Sequence, residues 1–399
     1  MRIINSVKLD FDNVLLRPKR SDVGSRKDVD LKRMFTFLNS KKKWEGVPIV
    51  VANLDTTGTF AMAKVMKANR ALCCLHKFYK DEDLVKFFWF DDYFGGIYTL
   101  GASDKEIDKC VKIFKTDINQ HNKPNFLCMD VANGYTQYFK EQLHKLREKF
   151  RDTTIIAGNV ATPEMVESLL LEGIADIIKV GIGPGSLCKT RKVSGVGYPQ
   201  LSAIIECADA AHGLGGHIMA DGGCKDPGDV VKAFAAGADF VMIGGMFCGT
   251  SECDGEWIYY DDSEIQNVPD LESSYDWEDF LVSERDVLTN PKEYLHNDNV
   301  QLGTYDVPNR RYLARRKVYK QLKKSLKCYG MSSKEAMINH YGSMPDYRTS
   351  EGLVKEIPYK GPAQDVMNEI LGGLRSACTY VGARRLKELS KRATFIRVR

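Results

Sequence analysis

The chain has 399 residues, 43% hydrophobic and 28% charged, which is enough apolar content for a full-sized core. A net charge of +4 on a mixed surface argues against nucleic-acid and membrane partners, and no apolar run approaches the ~18 residues that span a bilayer. Eleven cysteines without CxxC spacing read as reduced thiols, and "MRIINSVKLDFDNVLLRPKR" shows no apolar signal segment, so a cytoplasmic protein is expected.

In chain order, short apolar runs recur at 47–54, 71–76, 95–102, 125–132, 153–160, 177–183, 217–223 and 240–246. Such unbroken runs suit parallel strands covered on both faces. Amphipathic stretches lie between them. Residues 134–150 place Phe139, Leu143, Leu146 and Phe150 at helical spacing. Thr162-Pro163 and Asp226-Pro227 each read as an N-cap followed by proline in the first turn. The alternation predicts a (β/α)8 TIM barrel spanning 1–399 as one catalytic domain, with a doubly wound open sheet as the alternative. In such a barrel the chemistry sits where strands end. Those ends carry Asn53-Leu54-Asp55, His76-Lys77, Asp130-Val131-Ala132-Asn133, Gly158-Asn159, a cysteine loop, Asp221-Gly222-Gly223 and Gly244-Gly245.

Residues 257–317 break the pattern, as an insertion expected near the barrel mouth. Residues 257–309 hold 13 acidic and 2 basic residues, with Trp257, Tyr259, Tyr260, Tyr275, Trp277 and Phe280 among them; residues 310–327 hold 9 basic and no acidic ones. The expectation is a folded excursion whose acidic half pairs with a basic helix. A partner-docking surface or lid is the sharper reading, and the aromatics argue against full disorder.

Three constellations carry chemistry. The glycine pairs after strands seven and eight, with a helix beginning "GMSSKEAM" and a capping box from Ser332 to Glu335, suit a phosphate: glycine lets backbone N–H groups approach, and the helix N-terminus favours an anion. The loop "GIGPGSLCKTR" presents Cys188 among glycines, with Lys189 and Arg191 to favour thiolate and Thr190 to relay a proton. In "YRTSEGL", Arg348 and Ser350 could reach a phosphate or base edge, and Glu351 could carry a proton.

These pieces, in this order, resemble the family of IMP dehydrogenase and GMP reductase, the reductase branch most closely. The run from "GIGPGSLCKTRKVSGVGYPQLSAIIECADAAHGLGGHIMADGGCKDPGD" to "FVMIGGM" carries the resemblance, supported by "MDVANGY", "GNVATPEM", "YGMSS", "YRTSEG" and "SACTYVGARRLKELSKRATFIRV". It implies NADPH-dependent reductive deamination of GMP to IMP and ammonia through a cysteine thioimidate, a step of purine salvage. Cys188, Thr190, Glu351 and Lys77 would be catalytic. GMP would meet Asp221, Gly222, Gly223, Gly244, Gly245, Gly330, Met331, Ser332, Arg348, Ser350, Glu351 and Gly352. NADPH would meet Lys77, Asp130, Val131, Ala132, Ile182, Gly183, Met331, Tyr347, Arg348, Ser376, Ala377, Cys378 and Thr379, with Ser25 and Arg26 reaching a neighbouring subunit's cofactor in a homotetramer. A potassium ion would use Gly183, Gly185, Cys188 and Arg191.

The chain departs from the family pattern at Lys189, Leu54 and Thr250, and in the insertion. Two rivals remain at this point. IMP dehydrogenase needs a water-activating base, and Arg311-Tyr312 lies before "YGMSS", not after it. A guanine-nucleotide-binding regulator would have kept the pocket and lost turnover.

Overall fold

The computed structural model describes residues 3–90, 95–115, 124–260, 275–283, 300–306, 311–319 and 322–398, with the isolated positions 287, 289 and 292. Each expected apolar run contains one barrel strand: β1 (Ile49–Val51), β2 (Leu72–Cys74), β3 (Gly96–Leu100), β4 (Phe126–Asp130), β5 (Thr154–Val160), β6 (Ile177–Val180), β7 (His217–Asp221) and β8 (Phe240–Ile243). All pair in parallel, and the sheet closes where Val241 of β8 meets Ile49 of β1. The result is the (β/α)8 barrel expected from sequence; an open sheet is excluded by that closure.

Helices α1 (Phe60–Ala68), α2 (Asp81–Phe90), α3 (Asp104–Lys115), α4 (Gln137–Lys149), α5 (Pro163–Leu171), α6 (Thr190–Ser194), α7 (Gln200–Gly213) and α8 (Pro227–Ala235) connect the strands. Their starts follow from side-chain chemistry. Asp226 Oδ1 accepts the Asp229 N–H at 3.2 Å ahead of Pro227, and Thr136 Oγ1 accepts the Phe139 N–H at 3.2 Å. Thr162 occupies the N-cap of α5, but its hydroxyl makes no capping bond and instead accepts from Tyr135 Oη at 3.1 Å. Helices α9 (Lys334–Tyr341) and α10 (Ala363–Val381) and a short helix at Leu389–Arg392 come after the eighth strand, and α10 packs on α8 and α1. Among the described residues no helix is long and apolar enough to cross a membrane.

The N-terminal mouth of the barrel is stoppered by a hairpin of Arg33–Thr36 and Lys43–Gly46. Phe35 stacks 4.5 Å from Phe240, Phe37 meets Phe126 edge-on at 5.6 Å, and Trp44 lies 5.5 Å from Phe240. Because Phe126 and Phe240 open β4 and β8, these rings fill the bottom of the barrel and leave its C-terminal end for chemistry. Two buried carboxylates lash the hairpin in place. Asp176 accepts the backbone N–H groups of Asn39 at 2.7 Å, Ser40 at 2.9 Å and Ile155 at 3.0 Å, and pairs with Arg147 at 2.7 Å. Asp239 pairs with Arg33 of the hairpin at 2.9 Å and with His212 at 2.8 Å.

Residues Met1–Gly255 with Lys327–Arg399 form one compact unit, and Glu256–Leu326 form another. Within the second, Tyr275–Ser283 and Val300–Asp306 flank Arg311–Tyr319 in an antiparallel sheet. The register sets Glu278 opposite Arg316 and Asp279 opposite Arg315, so the acidic and basic tracts do pair along their backbones. The expected basic helix is corrected to strand: residues 311–319 and 323–329 are extended. Positions 261–274 and 293–299 of the acidic tract, and the side chains of Tyr275, Trp277 and Phe280, lie outside the described residues. The expectation of eleven reduced thiols is also corrected. Cys248, just beyond β8, and Cys328 are joined as a disulfide with Cα atoms 6.9 Å apart, and nine cysteines are free. The chain returning into the barrel unit at Lys327 is what brings these distant positions together.

Asp239 offers a test of the stopper. Burial alone would raise its carboxyl; hydrogen bonds from His212 and His217 and the charge of Arg33 more than offset this and hold it well below the usual carboxylate range. Its stabilising share is therefore complete above the ordinary carboxyl pKa of about 4 and is lost as pH falls below it. Asp239→Asn should lower unfolding stability by about 3 kcal/mol, read from denaturant melts, and flatten the acid-side fall of those melts.

Candidate active site

The cysteine loop takes its shape at the exit from β6. Gly181 and Gly183 adopt φ of +151° and +79°, and Arg191 lies so close over Gly183 that a Cβ there would meet its Cγ. The loop then runs alongside a second segment far away in sequence. The Leu353 N–H donates to the Leu187 carbonyl at 2.8 Å, the Lys189 N–H to the Glu351 carbonyl at 2.6 Å, and Cys188 pairs with Gly352 in an antiparallel bridge. Gly352 must be glycine for this approach, since a Cβ would come within 2.7 Å of Ser333 Cβ and backbone nitrogen. The pairing delivers a continuous hydrogen-bond chain. Cys188 Sγ donates to Thr190 Oγ1 at 3.2 Å, and Thr190 Oγ1 donates to Glu351 Oε2 at 2.6 Å. A thiol proton thus has a path through a hydroxyl to a carboxylate.

Cys188 and Thr190 border an open cleft lined by the loops that leave the barrel strands and by residues 330–332 and 351–352. Ala52, Leu54, Met242 and Ile243 form its apolar wall; Gly222, Gly223, Gly244, Gly245, Gly330, Ser332 and Gly352 supply backbone and hydroxyl groups, with Asp221, Met331 and Glu351 among them. Gly222 and Gly223 have φ of +87° and +90°, where glycine is favoured. Of the expected nucleotide residues, Arg348 and Ser350 do not line it. Ser350 Oγ accepts the Lys334 N–H at 3.1 Å and donates to the Gly352 carbonyl at 3.2 Å, so it braces the start of α9. The exposed Arg348 reaches only the Met337 sulfur at 3.9 Å and the Tyr347 ring at 6.0 Å. The cap of α9 is also corrected: Ser333, not Ser332, accepts the Ala336 N–H at 3.1 Å, which frees Ser332 to face the cleft.

Charges gather beyond the cleft floor. Lys179 of β6 bridges Asp130 at 2.8 Å and Asp221 at 2.6 Å; Asn53 donates to Asp130 at 2.8 Å and Asn159 to Asp221 at 2.9 Å. Lys77 lies 3.7 Å from Glu106. Burial works to lower its pKa, but Glu106 and Tyr341 more than offset that and hold it above the usual lysine value, so it stays charged. Sequence reading missed Lys179, and also Lys360, whose ammonium donates to the Gly245 and Met246 carbonyls at 3.2 and 3.1 Å behind the second glycine pair. The signal for Lys179 was a lone charge inside the apolar strand "IIKV".

The remaining expected cofactor residues divide. The Val131 N–H is tied to the Gly158 carbonyl at 2.8 Å, and the Ile182 carbonyl accepts from Tyr198 at 3.4 Å, at the ends of β4 and β6; Ala132 is exposed beside Val131. Tyr347 is 84% exposed. Ser376, Ala377, Cys378 and Thr379 sit on α10, against which the turn Arg26–Asp28 packs with Ser25 as its cap, so these form a separate patch outside the cleft. Cys378 in that patch is buried, which pushes its thiol up to about 11.

For the expected cation, the Arg191 side chain is spent on Asp10 at 2.9 Å and on the Tyr198 carbonyl, and the Gly185 carbonyl accepts the Cys188 N–H at 3.0 Å. Among the described residues no cluster of three or more His, Cys, Asp or Glu could hold a metal.

Comparison with known proteins agrees with this geometry. The family model described as "IMP dehydrogenase / GMP reductase domain" matches residues 100–276 and 303–399. The chain is 47% identical to "GMP reductase" of Phytophthora infestans across 100% of this chain and 92% of that protein. It is 46% identical to "GMP reductase 1" of Homo sapiens and 45% identical to "GMP reductase" of Escherichia coli O81 (strain ED1a), each across 100% of this chain and 97% of the relative. A barrel whose cleft is bordered by a relay-linked cysteine, matched over its whole length by these relatives, belongs to the IMP dehydrogenase/GMP reductase family.

Proposed function

We propose that the protein is a GMP reductase, an oxidoreductase that converts GMP to IMP and ammonia. The observation that carries this reading is the Cys188–Thr190–Glu351 chain, at 3.2 and 2.6 Å, on the border of a glycine-lined cleft. The names of the relatives, GMP reductases, support the same reaction.

The phosphate of GMP is assigned to the glycine pairs 222–223 and 244–245 with Ser332, where N–H groups and the start of α9 favour an anion. Asp221, whose Oδ2 takes both of its protein hydrogen bonds, keeps Oδ1 for the nucleotide. The Cys188 proton passes through Thr190 to Glu351, and the thiolate adds to C2 of the guanine. The amino group then leaves as ammonia and takes its proton back along the same path, because amide ion is a very poor leaving group. NADPH, placed on the Lys77 and Asp130 side, supplies when bound a hydride to C2 of the remaining thioimidate, after which the carbon–sulfur bond breaks and its electron pair returns to Cys188. A cation at the carbonyls of Gly183, Gly185, Cys188 and Arg191 would steady the loop and enters no step.

Mixing the protein with GMP and NADPH should consume the reduced-nicotinamide absorbance and release ammonia. Cys188→Ser should reduce kcat on the order of a thousandfold or more while GMP still binds. Undiminished turnover in that variant would end the assignment. Thr190→Val and Glu351→Gln should each lower kcat about a hundredfold with little change in KM for GMP. Because they act on one proton path, the double variant should be no slower than the worse single variant.

A further inference from the structure

Lys179 is the one fully buried cation at the chemical end of the barrel among the described residues, and the reaction steps proposed above do not use it. It is the third residue of β6 and faces the interior like Ile177 two positions earlier. Its side chain is 3% exposed and does not border the cleft. A buried ammonium costs several kcal/mol of desolvation unless it is well paired, and a single carboxylate would be enough to pair it. Lys179 instead spans two, on strands that are not its equals in role: Asp130 ends β4 and Asp221 ends β7.

The route between them is built into the sheet. In register, Gly158 of β5 stands between Asp130 and Lys179. A Cβ at Gly158 would lie 2.6 Å from Lys179 Cβ, so the missing side chain is what opens the way across β5. Each carboxylate also takes one asparagine amide, Asn53 on one side and Asn159 on the other, which fixes both headgroups.

On the reading given under Proposed function, Asp221 serves the nucleotide and Asp130 the cofactor. We propose that Lys179 is a positioning residue that ties these two carboxylates together, setting the spacing of the nucleotide and cofactor sites before either ligand arrives. The charges around it agree. Burial alone would raise the Asp130 carboxyl, and Lys179, Asn53 and Lys77 more than offset it, holding the group below its ordinary value. Burial would likewise lower Lys179, and Asp130 and Asp221 keep it well above the lysine range. Two thiols also face the group: Cys128 of β4, pushed up by its hydrogen bond with Cys74 and by burial, and Cys224 near Asp221, pushed up by burial; both stay neutral.

The test is steady-state kinetics of the full chain across pH for Lys179→Met, Lys179→Arg and Asp221→Asn. Lys179→Met should raise KM for both GMP and NADPH, each by about tenfold. Losing the ammonium also lets Asp130 take up its proton at higher pH, so the acid-side fall of kcat/KM for NADPH should move upward. Lys179→Arg keeps a cation and should restore the wild-type acid limb. Constants within about twofold of wild type and an unmoved limb in Lys179→Met would overturn the proposal, as would a change confined to one ligand. Should Lys179→Met fail to fold, Lys179→Gln decides: it keeps a polar side chain but no charge to hold two carboxylates, so both KM values should rise, and wild-type values would overturn the tie. Asp221→Asn separates the two levels. If it leaves KM for GMP unchanged, the assignment of Asp221 fails; if it raises KM while Lys179→Met does not, only the tie fails.

Discussion

The proposed proton relay depends on two backbone segments running side by side, residues 187–190 and 351–353. No side chain in the relay could act without that pairing. The thiol and hydroxyl come from one loop and the carboxylate from another, 161 positions later. Main-chain hydrogen bonds at 2.6 and 2.8 Å, and the Cys188–Gly352 bridge, convert a long-range meeting into local geometry. Glycine at 330 and 352 is the steric condition: a Cβ at Gly330 would lie 2.8 Å from the Leu187 carbonyl oxygen. Backbone-held sites of this kind keep reacting groups within the narrow distance range that proton transfer needs.

The barrel divides its labour between ends. Its lower end is an apolar stopper held by Asp176 and Asp239, each saturated with hydrogen bonds from elements that must stay together. Its upper end carries charges that are paired yet close to a cleft, where burial sharpens each electrostatic interaction. Stability and chemistry thus draw on the same kind of interaction, a buried carboxylate with multiple donors, placed at opposite ends of the strands.

Much of this was legible from residues alone. The eight strands were readable because β-branched apolar runs alternate with helices whose starts carry Thr or Asp before proline. Cys188, Thr190 and Glu351 were readable as candidates because polar and glycine residues stand at strand ends. Other features were hidden for physical reasons. The cap of α9 fell one residue late because "MSSK" offers two adjacent serines, and only the packed structure chooses between them. The basic tract was expected to be helical, but charge content carries no periodicity, and pairing with the acidic strand decided its conformation. The Cys248–Cys328 disulfide depends on how the chain re-enters the barrel unit, which no spacing rule encodes. Arg348 and Ser350 were legible as candidates because their residue types suit phosphate, while what their side chains meet, Lys334 and Met337, is a tertiary fact.

The aromatic hairpin beneath the strands makes the barrel a blind vessel, open at one rim only. Whatever is admitted must depart by the doorway through which it came. On the function proposed here, arriving and departing ligands would share that one doorway, the stoppered end giving them no second exit.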